Sequence, residues 1–353
     1  MRITFVLPFV NLTGGVRLLL QYANWLHDQG HAVTVVYPLW PFRFHFSRRQ
    51  QLAELSKAIR TRPHVGWLPL RCRLTRVPFI AGRFLPPADL IVATGWPVVE
   101  RVARADSSRG RKVHILFHHE AGTGEEHRIS ATYALPFHRV SFAESVRSLM
   151  KQRFGCEVHQ VIPAAIDTAQ FFPDAPRSSN IVLMLYHNDP RKGAADGIDA
   201  LRRLQAKRRD LDIRLCGTVR PPEVPAGMRF DLHPDDAALR RLYSQAAVFL
   251  YPSRDEGFGL PPLEAMACGC PVVTTSAGAI PEFARHGQNA MIVAPGDVDG
   301  MVTALDGLLT DSSLRMRLSE AGLAMAERYA LHRHAPLFRD ALERSFVLTR
   351  PTS

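Results

Sequence analysis

The chain has 353 residues, 46% of them hydrophobic, and a formal charge of +11 from 44 Lys and Arg against 33 Asp and Glu. That length and apolar content suit two domains, each with its own core. No apolar run approaches the roughly 18 residues of a membrane span, and five scattered cysteines with a single close pair, Cys268 and Cys270, leave no complete zinc site and fit a reducing cytoplasm.

In chain order, Ile3 to Leu7 reads as a first buried strand. A helix is expected from about Val16 to Gln29, with Leu18, Leu19, Tyr22, Ala23 and Leu26 on one stripe and a stop at Gly30. Thr13-Gly14-Gly15 between them is a turn that admits a phosphate, and Arg17 stands in the first turn beside it; a Gly-Gly after a first strand is as often just a tight turn. Ala32 to Val36 is the next strand. From Arg43 to Arg83 ten Lys or Arg face the single acid Glu54, and Trp40, Phe42, Phe44, Phe46, Trp67, Phe79 and Phe84 lie in or beside the segment. Cations interleaved with aromatics suit an anionic membrane surface. A face merely solvated by Arg is the plainer alternative, and a nucleic-acid partner is not expected.

Leu90 to Ala93, Val113 to Phe117 and Arg139 to Ala143 continue an alternation of strands and helices that argues for parallel βα units. His118 and His119 follow a strand, at the carboxyl edge where doubly wound sheets gather ligands. His118 is preferred because it directly follows Phe117; His119 and Glu120 stand in reserve, and a structural role is open for each. Asp167 to Ser179 is rich in Pro, Ser and Asp, which places a domain boundary near Pro173.

The pattern then restarts. Strands are expected at Ile181 to Tyr186, Ile213 to Cys216, Val248 to Tyr251, Pro271 to Thr274 and Met291 to Val293. Helices are expected from about Ala194 to Lys207, Asp235 to Gln245, at Pro262, Val298 to Leu309, Ser312 to Tyr329 and His334 to Val347. Lys192 lies in the turn Asn188-Asp189-Pro190-Arg191-Lys192-Gly193, where a flexible cation can reach phosphate oxygens, although an ordinary solvated turn has the same composition. Two Asp-x-Asp pairs occur. Asp210 and Asp212 stand at a strand start, and Asp297 and Asp299 read as a helix cap with a first-turn acid, so neither is a metal-ligand pair.

The richest stretch is Ser253 to Cys270, which sets Glu256 and Glu264 around the turn Gly257-Phe258-Gly259-Leu260 at the start of a helix. The glycines allow close backbone approach, and the free N–H groups of a helix start favour a phosphate. Pro261-Pro262 suits a first helical turn and would put Glu264 in it. Carboxylates beside a phosphate need another partner, and acceptor-only oxygens suit sugar hydroxyls, so a ligand carrying both diphosphate and sugar accounts for the segment. The alternative is that Glu264 complements the helix dipole and Glu256 is a solvated loop residue.

EGFGLPPLEAMACGCPVV resembles the Glu-x7-Glu signature of the family 4 (GT4) retaining glycosyltransferases. The resemblance extends over LRRLYSQAAVFLYPS, SAGAIPE, DPRKG and Thr13-Gly14-Gly15, most of the chain. It implies an α/β, GT-B architecture, two Rossmann-like doubly wound parallel-sheet domains facing a cleft. These would be an acceptor-binding domain at 1–173, a nucleotide-sugar-binding domain at 174–333 and a C-terminal helix, 334–353, crossing back to the first. It also implies transfer of a sugar from a nucleoside diphosphate donor to a glycan, lipid-linked or small-molecule acceptor, with no metal and no other cofactor. The site residues it implies are His118 and Glu256 on the transferred sugar, Glu264 on the ribose, and Lys192 with the Gly257 to Leu260 amides on the diphosphate, with Gly14, Gly15 and Arg17 approaching it. Three departures stand out. Tyr186-His187-Asn188 occupies the place of a usual Gly-Arg, with Arg191 the nearest replacement; Ile162 to Asp167 lacks a common Asn-Gly; and Ala279 replaces a glycine. A nucleotide-sugar epimerase on the same scaffold, or a non-enzymatic basic module for anionic polymer or membrane, are the rival readings.

Overall fold

The computed structural model describes residues 1–40, 60–120 and 124–347. Its chain divides into two compact units, one from Met1 to Pro163 joined by the chain from His334 on, the other from Ala164 to Arg333. The Pro- and Ser-rich stretch around Pro173, where composition places the boundary, therefore lies inside the second unit. Its Phe171 ring is buried and packs edge-on to Tyr243, and Asp174 pairs with Arg240 at 2.6 Å, so polar composition here covers a packed segment rather than a linker.

The first unit holds a parallel sheet of seven strands: β1 (Arg2–Val6), β2 (Ala32–Pro38), β3 (Arg73–Val77), β4 (Leu90–Ala93), β5 (Arg111–Leu116), β6 (His138–Ser141) and β7 (Gln160–Val161), in the order β3-β2-β1-β4-β5-β6-β7. Its α-helices among the described residues include α1 (Gly14–Asp28), α2 (Trp96–Ala103), α3 (Glu126–Tyr133) and α4 (Glu144–Phe154). The central strands β1, from Ile3 on, and β4 are buried because helices cover both faces of a parallel sheet. The second unit has β8 (Ile181–Leu185), β9 (Asp212–Gly217), β10 (Met228–Leu232), β11 (Val248–Tyr251), β12 (Val272–Thr275) and β13 (Met291–Val293), in the order β10-β9-β8-β11-β12-β13. Its helices are α5 (Ala194–Lys207), α6 (Asp236–Gln245), α7 (Leu260–Ala267), α8 (Ile280–Phe283), α9 (Val298–Thr310) and α10 (Ser312–Arg328). The last helix, α11 (Leu331–Val347), joins the first unit from His334, where Phe338 stacks on Tyr22 at 4.4 Å and lies 6.4 Å from Phe5.

In each sheet the first strand of the unit sits in the middle, β1 between β2 and β4 and β8 between β9 and β11. The connections on the two sides leave toward opposite faces, which opens a crevice at the carboxyl ends of these strands. Register brings the edges together: Val6 is opposite both Val36 and Ala93, and Met184 is opposite Leu250. Of the edge strands, β3 carries Arg, and β10 Arg and Asp, charges that keep an unpaired edge from templating further pairing.

Candidate active site

At the second unit's carboxyl edge the chain leaves β8 and turns at Asp189. The Asp189 carboxylate accepts the Arg191 amide at 2.9 Å, and the Arg191 guanidinium folds back onto the same carboxylate at 2.8 Å, with Asp255 at 3.5 Å. Gly193 then has φ +66°, and a Cβ there would lie 2.0 Å from the Pro252 carbonyl oxygen, so only glycine allows this approach. The Arg191 carbonyl accepts the amides of Arg254 and Asp255 at 2.7 and 3.1 Å, stitching the loop after β8 to the loop after β11. Asp196 and Arg254 form a second clasp, two bonds of 2.6 and 2.7 Å.

That clasp holds Glu256. Its Oε1 accepts from Lys192 Nζ at 2.7 Å, Ser253 Oγ at 2.8 Å and the Tyr251 hydroxyl at 2.5 Å. Its side chain is 7% exposed and that of Lys192 28%, so the solvated-loop alternative for Glu256 fails: the turn is folded inward and the carboxylate is a buried group with three donors. Oε2 has no hydrogen bond among the described residues and retains its lone pairs for a hydroxyl ligand. The Tyr251 phenol is pushed well above its ordinary range by burial and by the Glu256 charge, so it donates.

The turn Gly257 to Leu260 packs on the segment before α8. Gly278, at φ +54°, has the Glu256 carbonyl where a Cβ would stand, and Ala279 donates to the Gly257 carbonyl at 3.3 Å. Gly259, at φ +87°, precedes α7 and gives it no side-chain cap. Phe258 turns its ring into the core, 5.5 Å from Phe283, and so offers a ligand only its amide. Because Leu260 takes the first helical position, Pro261 and Pro262 are second and third and Glu264 lies beyond the first turn, not in it as the proline pair suggests. The Glu264 side chain is buried beside Tyr243 and Tyr251, whose phenols its charge pushes up after burial itself. Asp297 caps α9 by accepting the Gly300 amide at 2.8 Å, and the described residues contain no cluster of three His, Cys, Asp or Glu able to hold a metal.

At the first unit's carboxyl edge, Thr13 caps α1 by accepting the Val16 amide at 3.3 Å, with Gly14 and Gly15 as the first helical residues. A Cβ on Gly15 would press on the Phe117 ring at 3.1 Å. Arg17 is buried with its guanidinium 5.7 Å from the Trp67 ring. His118 is half-buried and its Nδ1 lies 2.8 Å from the His119 carbonyl, to which it donates. His119 is turned inward, between the Tyr133 hydroxyl at 3.0 Å, the Glu126 carboxylate at 2.9 Å and the Phe154 ring. Glu120 accepts the Trp96 amide at the start of α2, and burial pushes its carboxyl up to about 7. Thus the structure brings Lys192, Glu256, Gly257 to Leu260 and Glu264 into one unit, and Gly14, Gly15, Arg17 and His118 into the other. Tyr251 and Ser253 are donors to Glu256 that sequence reading passes over, since a strand-terminal Tyr and a loop Ser carry no motif of their own.

Within the basic segment, Arg43, Arg48, Arg49 and Lys57, with Phe42, Phe44 and Phe46, lie outside the described residues. Trp40 and Phe79 are 41% and 46% exposed, and Arg83 lies 5.2 and 4.9 Å from the Phe79 and Phe84 rings. No helix among the described residues is long and apolar enough to cross a membrane.

Residues 166–325 match the family "Glycosyl transferases group 1". The chain is 35% identical over 169 residues to MMP alpha-(1->4)-mannosyltransferase of Mycolicibacterium hassiacum, covering 44% of this chain and 41% of that one. It is 27% identical to phosphatidyl-myo-inositol mannosyltransferase of Mycolicibacterium smegmatis over 95% of this chain and 90% of the other. Among solved structures, HepE of Anabaena in complex with UDP-glucose superposes with a TM-score of 0.76 at 18% identity, over 98% of this chain and all of that one. The fold is GT-B.

Proposed function

Because residues 166–325 match the group 1 glycosyl transferases, we propose that the protein is a retaining glycosyltransferase of the GT4 kind. It would move a sugar from a nucleoside diphosphate sugar to a glycan, lipid-linked or small-molecule acceptor, in the synthesis of bacterial surface polysaccharide or glycoconjugate. The observation that carries this reading is Glu256, a buried carboxylate gripped by Lys192, Tyr251 and Ser253 at the β8–β11 switch point. A fixed acceptor beside an ammonium suits a ligand with sugar hydroxyls next to phosphate.

On this reading Glu256 orients the transferred sugar and Glu264 holds the ribose. Lys192 and the Gly257 to Leu260 amides take the charge that builds on the diphosphate as its bond to the anomeric carbon breaks. The acceptor oxygen bonds to that carbon from the same face, and the departing phosphate takes the acceptor proton. The first unit supplies the acceptor surface, with His118 toward the reacting sugar and Gly14, Gly15 and Arg17 near the diphosphate. The exposed Trp40, and the exposed Phe79 beside Arg83, favour contact with an anionic membrane, which would serve a lipid-linked acceptor; sedimentation with anionic vesicles at low salt, lost when Arg48, Arg49, Arg60 and Arg62 are changed to Ser, tests it.

The main test is thermal stabilisation by a panel of nucleoside diphosphate sugars, where a ligand at about 100 times its Kd adds about 2.7 kcal/mol, followed by transfer from the one that binds, with and without EDTA. Stabilisation and transfer that survives EDTA are expected. A panel without a stabilising member overturns the reading.

A further inference from the structure

The two cations of this cluster already have carboxylate partners, so a diphosphate needs further donors beside them. Lys192 is paired with Glu256, and Arg191 with Asp189 and Asp255. Two cations and three carboxylates leave one net negative charge where a doubly charged diphosphate would enter. Neutral N–H donors are the groups that can meet such an anion without first breaking an ion pair. The amides before α7 are one set. A second donor stands in the loop after β8.

His187 follows the end of β8 by two residues, on the switch-point side of the sheet, and its surface is open to solvent although neighbouring atoms crowd it. Its Nδ1 accepts the Asp189 amide at 2.9 Å. An Nδ1 that accepts has its lone pair engaged, so the ring is neutral with its hydrogen on Nε2. Burial, then the Lys192 charge, holds its pKa below the ordinary histidine range, while Asp189 and Glu256 pull it up and Arg191 down. Protonation would put a hydrogen on Nδ1 against the Asp189 N–H and forfeit that bond.

We propose that His187 binds the diphosphate of the nucleotide sugar as a neutral donor through Nε2–H, fixed in that tautomer by the Asp189 amide. This rests on the glycosyltransferase reading above and adds a ligand-binding residue to it. A neutral hydrogen bond of ordinary strength corresponds to an affinity change of about three- to tenfold.

The test measures the Kd of UDP-glucose, GDP-mannose and ADP-glucose by calorimetry for wild type, His187→Ala and His187→Gln between pH 6 and 8.5, with circular dichroism as the check of folding. Expected are a loss of about three- to tenfold in His187→Ala, recovery of most of it in His187→Gln, whose amide N–H can donate, and no dependence on pH assignable to the ring. Two results overturn the proposal: wild-type affinity that weakens as pH rises and loses that slope in both variants, which makes His187 an imidazolium, or unchanged Kd in folded His187→Ala, which makes it structural. If wild type binds none of the three sugars, the glycosyltransferase reading falls first and this inference with it.

Discussion

The two units have the same strand order around their central strand, yet their carboxyl edges are built differently. In the second unit two short loops, residues 186–193 and 252–260, supply every group of the Glu256 cluster apart from Tyr251 at the end of β11, and they bind each other through the Arg191 carbonyl. In the first, three separate segments meet: the Thr13 cap of α1, Gly95 and Trp96 at the start of α2, and Phe117 to Glu120 after β5. The contacts there are packing and capping contacts rather than a charge cluster. A shared topology therefore fixes where a site can stand, while the loops decide which edge is rigid and charged.

The largest expected break in this contrast is catalytic. Lys192→Ala should lower kcat by about 10²- to 10³-fold, the range for removing a fixed donor from a developing oxyanion, and it leaves Glu256 buried without its cation. Arg17→Ala, at the other edge, should change kcat less than about tenfold and chiefly lower the melting temperature, because the Arg17 side chain is buried against Trp67. Steady-state kinetics of both variants with saturating donor decides. Equal kcat losses would mean that both edges carry the leaving charge.

Backbone substitutions sharpen the same contrast in stability. Gly193→Ala forces a Cβ against the Pro252 carbonyl from a left-handed backbone, and should cost about 2–3 kcal/mol. Gly15→Ala meets only the edge of a ring that can shift, and alanine is favoured over glycine in a helix by about 1 kcal/mol, so its net effect should lie within about 1 kcal/mol of zero. Urea unfolding curves of the two variants measure this.

Acid should find the first unit before the second. His114 is fully buried, its two ring nitrogens have no hydrogen-bond partner among the described residues, and burial lowers its pKa to about 3. The unfolded chain titrates near 6.5, so between these values the unfolded state binds the extra proton. Stability is complete above about 6.5 and falls as pH drops toward 3. His138, lowered to about 4 by burial and by His159, adds to the same window. In the second unit the pKa of His187 is also lowered, but its surface is open to solvent, and no histidine among the described residues there is as deeply buried as His114. His114→Leu should raise the melting temperature at pH 5 by about 2–4 °C more than at pH 8, and a shift equal at both values would remove the titration from the account.

What the sequence shows of this protein follows the same division. Strands β4, β11 and β13 and helix α5 stand where the sequence pattern places them, β4 and β11 because buried central strands are written as continuous apolar runs. β3 and β10 are passed over because edge strands carry charge on an open face, and α2 because a Trp-Pro start after a glycine gives little helical period. Glu256, Glu264 and Lys192 stand out in the sequence because each lies in or next to a loop with its own local motif, and the structure brings those two loops together. The partners of Glu256 do not, since Tyr251 and Ser253 acquire their roles only when the loop folds back. Adjacency to the strand favours His118 over His119 in the sequence, whereas the inward turn of His119 depends on α3 and Phe154, segments that no local pattern connects to it.

The smallest expected effect concerns Arg191, which in sequence stands as the nearest substitute for a second diphosphate cation. Its guanidinium is held on Asp189 at 2.8 Å and is 3.5 Å from Asp255, and its pKa is raised, first by the bond to Asp189, so it is a charge already answered by two carboxylates. To reach a phosphate it would leave the carboxylate that also caps its own turn through the Arg191 amide. Its carbonyl, which ties the two loops, survives substitution. Arg191→Ala should therefore change the donor Kd by less than about threefold, within the worth of an exposed ion pair, while Lys192→Ala in the same assay loses turnover. A loss above tenfold for Arg191→Ala would show that the Asp189 pair opens on binding, and would move the positive charge of the site from one residue to two.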